Sequence, residues 1–150
     1  MKRVKHWADY RVRIVDASLE DTAEEIRELH RLTFEKGIAV PSLDEPSAWW
    51  LAYLKDVPVA FAGIQPSFRY ENSGYLCRSG VHPDHRGYGL QLRLLYAREA
   101  YARRQGWVGV VTDTTDNVHS SNNMIEAGYL IFEPETKWAF DHSIYWRKAL

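Results

Sequence analysis

One cysteine in 150 residues, Cys77, leaves no partner for an internal disulfide and suits a reducing compartment, so the cytoplasm is the expected location. No apolar run reaches the ~18 residues of a membrane span. Met1–Tyr10 is charged and aromatic, unlike the apolar centre of a signal peptide. Neither sign of charge dominates: 19 Lys and Arg against 20 Asp and Glu give a formal net charge of −1, which argues against a sequence-independent nucleic-acid binder. Repeats, low-complexity tracts and linker-like stretches are missing too, so residues 1–150 read as one domain. A chain of this length buries roughly 68–70% of its unfolded surface and needs no metal or disulfide staple.

What is present is a run of short periodic segments. Tyr10–Val15 alternates apolar and basic residues, as an edge strand does. Ser18 and Asp21 have capping-box spacing, and Leu19, Ala23, Ile26, Leu29 and Thr33 then form a helical stripe ending near Gly37. Trp49–Leu54 and Pro58–Ile64 are strand-like runs joined by a turn at Lys55–Val57, and a third covers Tyr75–Val81. A helical pattern from Leu90 to Gln105 stops at Gly106, and Trp107–Thr112 reads as a strand covered on both faces. Val118–Ala127 is a short helix, and Tyr129–Phe132 and Lys137–Trp146 are final strands. The order is β-α-β-β-β-α-β-α-β-β, a mixed α/β sheet fold.

The most informative stretch is Val81-His82-Pro83-Asp84-His85-Arg86-Gly87-Tyr88-Gly89-Leu90. A glycine turn leading from strand to helix aims backbone N–H groups and the positive end of the helix dipole at one spot, which suits phosphate. Arg86 adds a permanent charge. The P-loop pattern fails for want of Lys-Ser/Thr after the last glycine, and the dinucleotide fingerprint fails because Leu92 stands where its third glycine would be.

Two segments carry a family resemblance. Arg86-Gly87-Tyr88-Gly89-Leu90-Gln91 follows the pattern Arg/Gln, two residues, Gly, one residue, Gly/Ala, with Gln91 in the last position. Asn117 is followed by Ser120 three residues on and by Gly128-Tyr129 at eleven and twelve, with Met124 at seven, where a Tyr is common. From Tyr10 to Trp146 the chain resembles the GCN5-related N-acetyltransferase (GNAT) superfamily. The resemblance implies direct transfer of an acetyl group from acetyl-CoA to an amine, with no metal. Main-chain groups from Arg86 to Gln91, with Gly87, Tyr88, Gly89 and Leu90 between them, would hold the pyrophosphate. The strand ending at Val81 would splay from the strand beginning at Trp107 and expose Val81 to the pantetheine arm, which Asn117 would bond from the other side. The Ser79 N–H would face the thioester oxygen.

Met124 in place of Tyr removes the usual acid for the departing thiolate, leaving Ser120 or Ser121, or water. The acceptor must lose a proton, at about 4.6 kcal/mol for a lysine-like amine at pH 7. Glu71 is the first candidate base and Glu133 the second. Acceptors open to this chemistry are small amines and peptide or protein amines. Specificity in the family sits in the loops that here span Gly37–Ser47 and Pro134–Asp141, and Glu133, Glu135 and Asp141 beside Trp138 and Phe140 favour a cationic, partly apolar acceptor. Homodimers are common in the family.

Plainer readings stand beside these. Asn117 has the place and chemistry of a helix cap, which does not exclude ligand contact. Cys77 suits a small buried apolar site. His82, His85 and His119 have loosely metal-like spacing. Trp49, Trp50, Phe68 and Tyr70 suit either a pocket or the core. Arg93 could reach a coenzyme phosphate, while the other arginines of its helix read as a solvated face. Met124 also supports a second function class, a non-catalytic acyl-CoA-binding or interaction module.

Overall fold

Alternation in Tyr10–Val15 produces β1, with Tyr10 buried and Arg11 and Arg13 exposed at the sheet edge. The structure is a computed structural model that describes residues 6–150; Met1–Lys5, the first half of the charged segment noted above, lie outside the described residues. After β1 come α1 (Glu20–Thr33), β2 (Ala48–Leu54), β3 (Val57–Pro66), β4 (Ser73–Val81), α2 (Leu90–Arg104), β5 (Gly109–Thr114), α3 (Val118–Glu126), β6 (Leu130–Phe132) and β7 (Ile144–Ala149). Single 3-10 turns at Trp7–Asp9 and Pro83–His85 were not foreseen. The element order matches the expected one. The seven strands form one sheet in the order β1-β2-β3-β4-β5-β7-β6, antiparallel except where β4 meets β5.

Each face of the sheet carries its own apolar cluster. Ile26 and Leu29 of α1 pack on Trp49, Leu51 and Phe61. On the other face Leu90, Leu94, Leu95 and Ala102 of α2, with Met124 of α3, cover Ala60, Ala62, Leu76, Val81 and Val110. Period-2 side-chain alternation sorts neighbouring strand residues between the two clusters. Trp49 and Trp50 therefore lie on opposite faces, both as core.

Several boundaries differ from the sequence reading. Ser18 does not cap α1: its N–H and Oγ both bind Asp16 Oδ1, and the helix starts past Leu19, which makes no side-chain cap. The helix stops at Thr33 rather than near Gly37, because Thr33 Oγ donates back to Leu29 O at 2.7 Å and Phe34 is already extended. Trp107 ends the α2 turn by donating to Ala102 O, so β5 starts two residues later than expected. Lys137–Ser143 is a loop rather than a strand, closed by reciprocal bonds between Phe140 and Ser143, and β7 begins only at Ile144.

Candidate active site

Strand β4 leaves the sheet through a built turn. His82 donates from its N–H to Val59 O at 2.8 Å, and its Nδ1 accepts from Asp84 N–H. Tyr10 Oη and His85 Nδ1 lie 3.0 Å apart and fasten the turn to β1. Gly87 and Gly89 have φ of +84° and +76°, a left-handed conformation that disfavours any side chain. Gly89 is the N-cap of α2 and offers no side-chain acceptor, so the first-turn N–H groups at Leu90 and Gln91 keep their donors outward. Space is open around both glycines: apart from the adjoining residues of the chain, no heavy atom lies within 4 Å of where a Cβ would stand. Exposed N–H groups at a helix N-terminus, with nothing crowding the approach, fit a pyrophosphate.

Arg86 folds back, its Nε donating to Val81 O at 3.3 Å. Arg93 is spent elsewhere: Nη1 donates to Trp7 O and Tyr10 O, which ties α2 to the start of β1. It anchors the fold at that place rather than standing free for a coenzyme phosphate.

The β4–β5 pair opens into a seam. Only Ser73, Gly74 and Tyr75 pair with β5, against Gly109, Val110 and Val111. From Leu76 to Val81, β4 is paired on the β3 side alone. The ladder stops where Thr112 Oγ donates to Leu76 O at 3.0 Å, a side chain doing what a β5 main-chain donor would do further down.

Which β4 groups face this seam follows from register. Opposed residues of an antiparallel ladder alternate between bonded and non-bonded pairs. His82 bonds to Val59, so Gly80 with Phe61 is the next bonded pair, while Val81 with Ala60 and Ser79 with Ala62 are non-bonded pairs. The N–H and C=O groups of Ser79 and Val81 therefore point away from β3, into the seam. Nearer the start of β4 the parity is reversed, with Gly74 and Leu76 facing β5. A register shift at Gly63, which two residues, Cys77 and Arg78, oppose, produces the change.

The other expected residues are dispersed. Asn117 caps α3, its Oδ1 accepting from Ser120 N–H at 3.0 Å. Ser120 is half-buried in the first turn, and neighbouring Ser121 lies 3.0 Å from Thr114 Oγ of β5. Met124 is buried in the α2-side cluster. Glu71 is exposed in the β3–β4 connection; six strand steps separate Ser73 from Ser79, roughly 20 Å at 3.3 Å each. The structure does not bring Glu71 to Ser79. Glu133 is exposed beyond β6 and pairs with Lys137 at 3.8 Å. The histidines form no metal centre: no group of three or more His, Cys, Asp or Glu suited to a metal occurs among the described residues. Burial raises the pKa of the Cys77 thiol, in keeping with the apolar reading.

Sequence reasoning missed a carboxylate. Asp113 Oδ2 on β5 accepts from Tyr75 Oη at 2.9 Å and from Trp138 Nε1 at 2.8 Å. It lies two residues past the last β4–β5 pair, on the wall of the seam. Burial, and then Asp113 itself, push the Tyr75 phenol above its usual pKa, so it stays a donor. Beside this group a cleft of about 230 Å³ is lined by Gln65, Ser67, Phe68, Arg69, Tyr75 and Trp138, among others. Phe68 is 81% exposed there, and Tyr70 meets Trp138 and Phe132 edge-on. The available signal was one acid inside the β-branched run Val110-Val111-Thr112-Asp113-Thr114. A second missed group is Glu99, buried on α2 and bound by Tyr129 Oη at 2.9 Å and Lys148 Nζ at 2.8 Å.

Comparison with known proteins agrees with this architecture. The ribosomal-protein-S18-alanine N-acetyltransferase of Escherichia coli superposes with a TM-score of 0.75 at 11% identity, covering 93% of each chain. An acetyltransferase of the GNAT family from Streptococcus pneumoniae gives 0.72 at 15% identity over 94% of this chain and 99% of that one. The IAA acetyltransferase of Bacillus cereus gives 0.70 at 12% identity over 94% and 99%. At such identities the likeness is one of fold. A search of curated proteins finds no significant match. Residues 7–129 match the profile described as "Acetyltransferase (GNAT) family", and the chain belongs to that family.

Proposed function

We propose that this GNAT-family acyltransferase moves the acetyl group of acetyl-CoA directly to an amine. One observation carries the reading: the Ser79 and Val81 main-chain groups face an opened seam that runs from the Gly87–Gly89 turn at the start of α2. The turn, from Arg86 to Gln91, would hold the pyrophosphate, each charge-assisted bond contributing roughly 1.5–3 kcal/mol. An amide-rich arm pairs with an exposed strand edge as a peptide does, and Val81 supplies that edge. The Ser79 N–H would stabilise charge developing on the thioester oxygen. Asn117 has Oδ1 committed to its cap, so its amide NH₂ is the group left for the arm.

Asp113, on the seam wall and fixed by two donors, takes the place proposed for Glu71 and receives the acceptor's proton or its cation. Ser120, about one helical turn before Met124 on α3, has its main-chain N–H on Asn117, and its hydroxyl is proposed to protonate the thiolate directly or through water. Cys77, the lone and half-buried cysteine, fits a cytoplasmic setting.

Thiol release from acetyl-CoA against a panel of small, peptide and polycationic amines tests the reading. Turnover on at least one amine is expected. A second reading, an acyl-CoA-binding module without turnover, is favoured by Met124, which packs in the core where an acid would stand. Saturable acetyl-CoA binding with no thiol release on any amine would establish that module instead.

A further inference from the structure

We propose that Arg98 is a positioning residue for acyl transfer, holding the β4 irregularity that turns the Ser79 and Val81 main-chain groups into the seam. Arg98 lies in the middle of α2 and is 3% exposed. Its buried neighbours on the helix are the apolar Leu94, Leu95 and Ala102 and the carboxylate of Glu99, which is taken by Tyr129 and Lys148. No carboxylate pairs with it at ion-pair distance among the described residues. A buried cation with no carboxylate in direct contact is costly for stability unless its donors are satisfied. The guanidinium instead makes two directed bonds to carbonyls: Nε to Leu94 O at 3.2 Å, within its own helix, and Nη1 to Gly63 O at 3.1 Å, across the cluster.

Gly63 is the one β3 residue opposed by both Cys77 and Arg78, at the register shift. Arg98 therefore pins β3 directly opposite the bulge. The bond within α2 fixes the direction of the guanidinium, and the bond to Gly63 fixes β3 at the place where β4 gains its extra residue. That extra residue changes the parity of β4. Without it, alternation would carry on from Leu76 unbroken, and Arg78 and Gly80 would face the seam while Ser79 bonded back to β3. On the opposite side of β4, Thr112 occupies Leu76 O, so ladder and bulge are held at the same level of the strand. Arg98 touches no substrate; it acts through the direction of the Ser79 N–H. The inference rests on the proposed function, in which that N–H meets the thioester oxygen.

Infrared spectra of acetyl-CoA carrying ¹³C in the thioester carbonyl need no acceptor and separate the two claims. In the parent protein the bound carbonyl band should lie below its position in free acetyl-CoA, as hydrogen bonding requires. If the parent binds acetyl-CoA without that displacement, the role of Ser79 fails and this inference fails with it. In Arg98→Met the band should return towards the free position, with coenzyme A still held by the glycine turn, a separate site, but more weakly because the Val81 edge turns away with Ser79. Arg98→Lys, which keeps charge and one donor but not the paired geometry, should give an intermediate band. It also decides the matter if Arg98→Met does not fold. A parental band in either variant that folds overturns the assignment.

Discussion

A single methyl group at Gly89 tests the turn. With φ at +76°, Gly89→Ala is strained by about 1–2 kcal/mol and places a carbon where the ligand's phosphate must approach. The expected result is loss of the rise in melting temperature that acetyl-CoA gives the parent; an unchanged rise would count against the turn as the binding site. Asp113→Asn keeps an oxygen for Tyr75 and Trp138 but removes the charge. It should raise the amine KM about tenfold or more, the scale of one charge-assisted bond, while leaving coenzyme binding alone. Steady-state kinetics on whichever amine turns over reads both constants, and an unaltered KM would remove Asp113 from the acceptor site.

Helix starts show how local signals are outvoted. Ser18 and Asn117 look alike as caps in sequence, yet only Asn117 bonds to its helix, because Asp16 captures Ser18 first. Asn117→Ala should therefore cost about 1 kcal/mol and Ser18→Ala less than half of that, compared by thermal denaturation. Strands read well wherever period and turn residues agreed: Tyr10–Val15 came out to the residue, and Ser73–Val81 to within two. Lys137–Ser143 did not, because side-chain and backbone bonds to Ser143 close a loop that alternation alone cannot distinguish from a strand. The glycine turn was legible because its chemistry is local. Asp113 with Tyr75 and Trp138 was not, since 38 and 25 residues separate the partners and only the sheet brings them together.

The whole molecule carries a pH signature from its buried hydroxyls. Burial and Glu99 raise the pKa of Tyr129 as burial and Asp113 raise that of Tyr75. A raised phenol contributes fully below the unfolded value near 10 and loses that contribution as the unfolded chain ionises above it, by up to about 1.4 kcal/mol per pH unit for each residue. Arg98 works the other way. Burial lowers it to about 10, so the unfolded chain binds the extra proton and stability gains from this group as pH rises from 10 towards 12.5. With Tyr75 and Tyr129 strongly raised, and Tyr10, Tyr53 and Cys77 raised beside them, against one lowered arginine, stability should fall above pH 10. Tyr75→Phe or Tyr129→Phe should each make that fall shallower in urea titrations, and identical slopes would show the phenols to be ordinary.

At this scale the sheet is a parallel pair pinned at one end and parted at the other, with β3 and β7 supporting the two sides. Its most direct test is a ¹⁵N amide spectrum recorded during addition of acetyl-CoA. The largest displacements should fall on Ser79, Val81 and residues 87–91, with Gly80, whose N–H faces β3, moving less. Saturating additions that leave those amides in place, or that move Gly80 and the β3 ladder instead, would contradict the account.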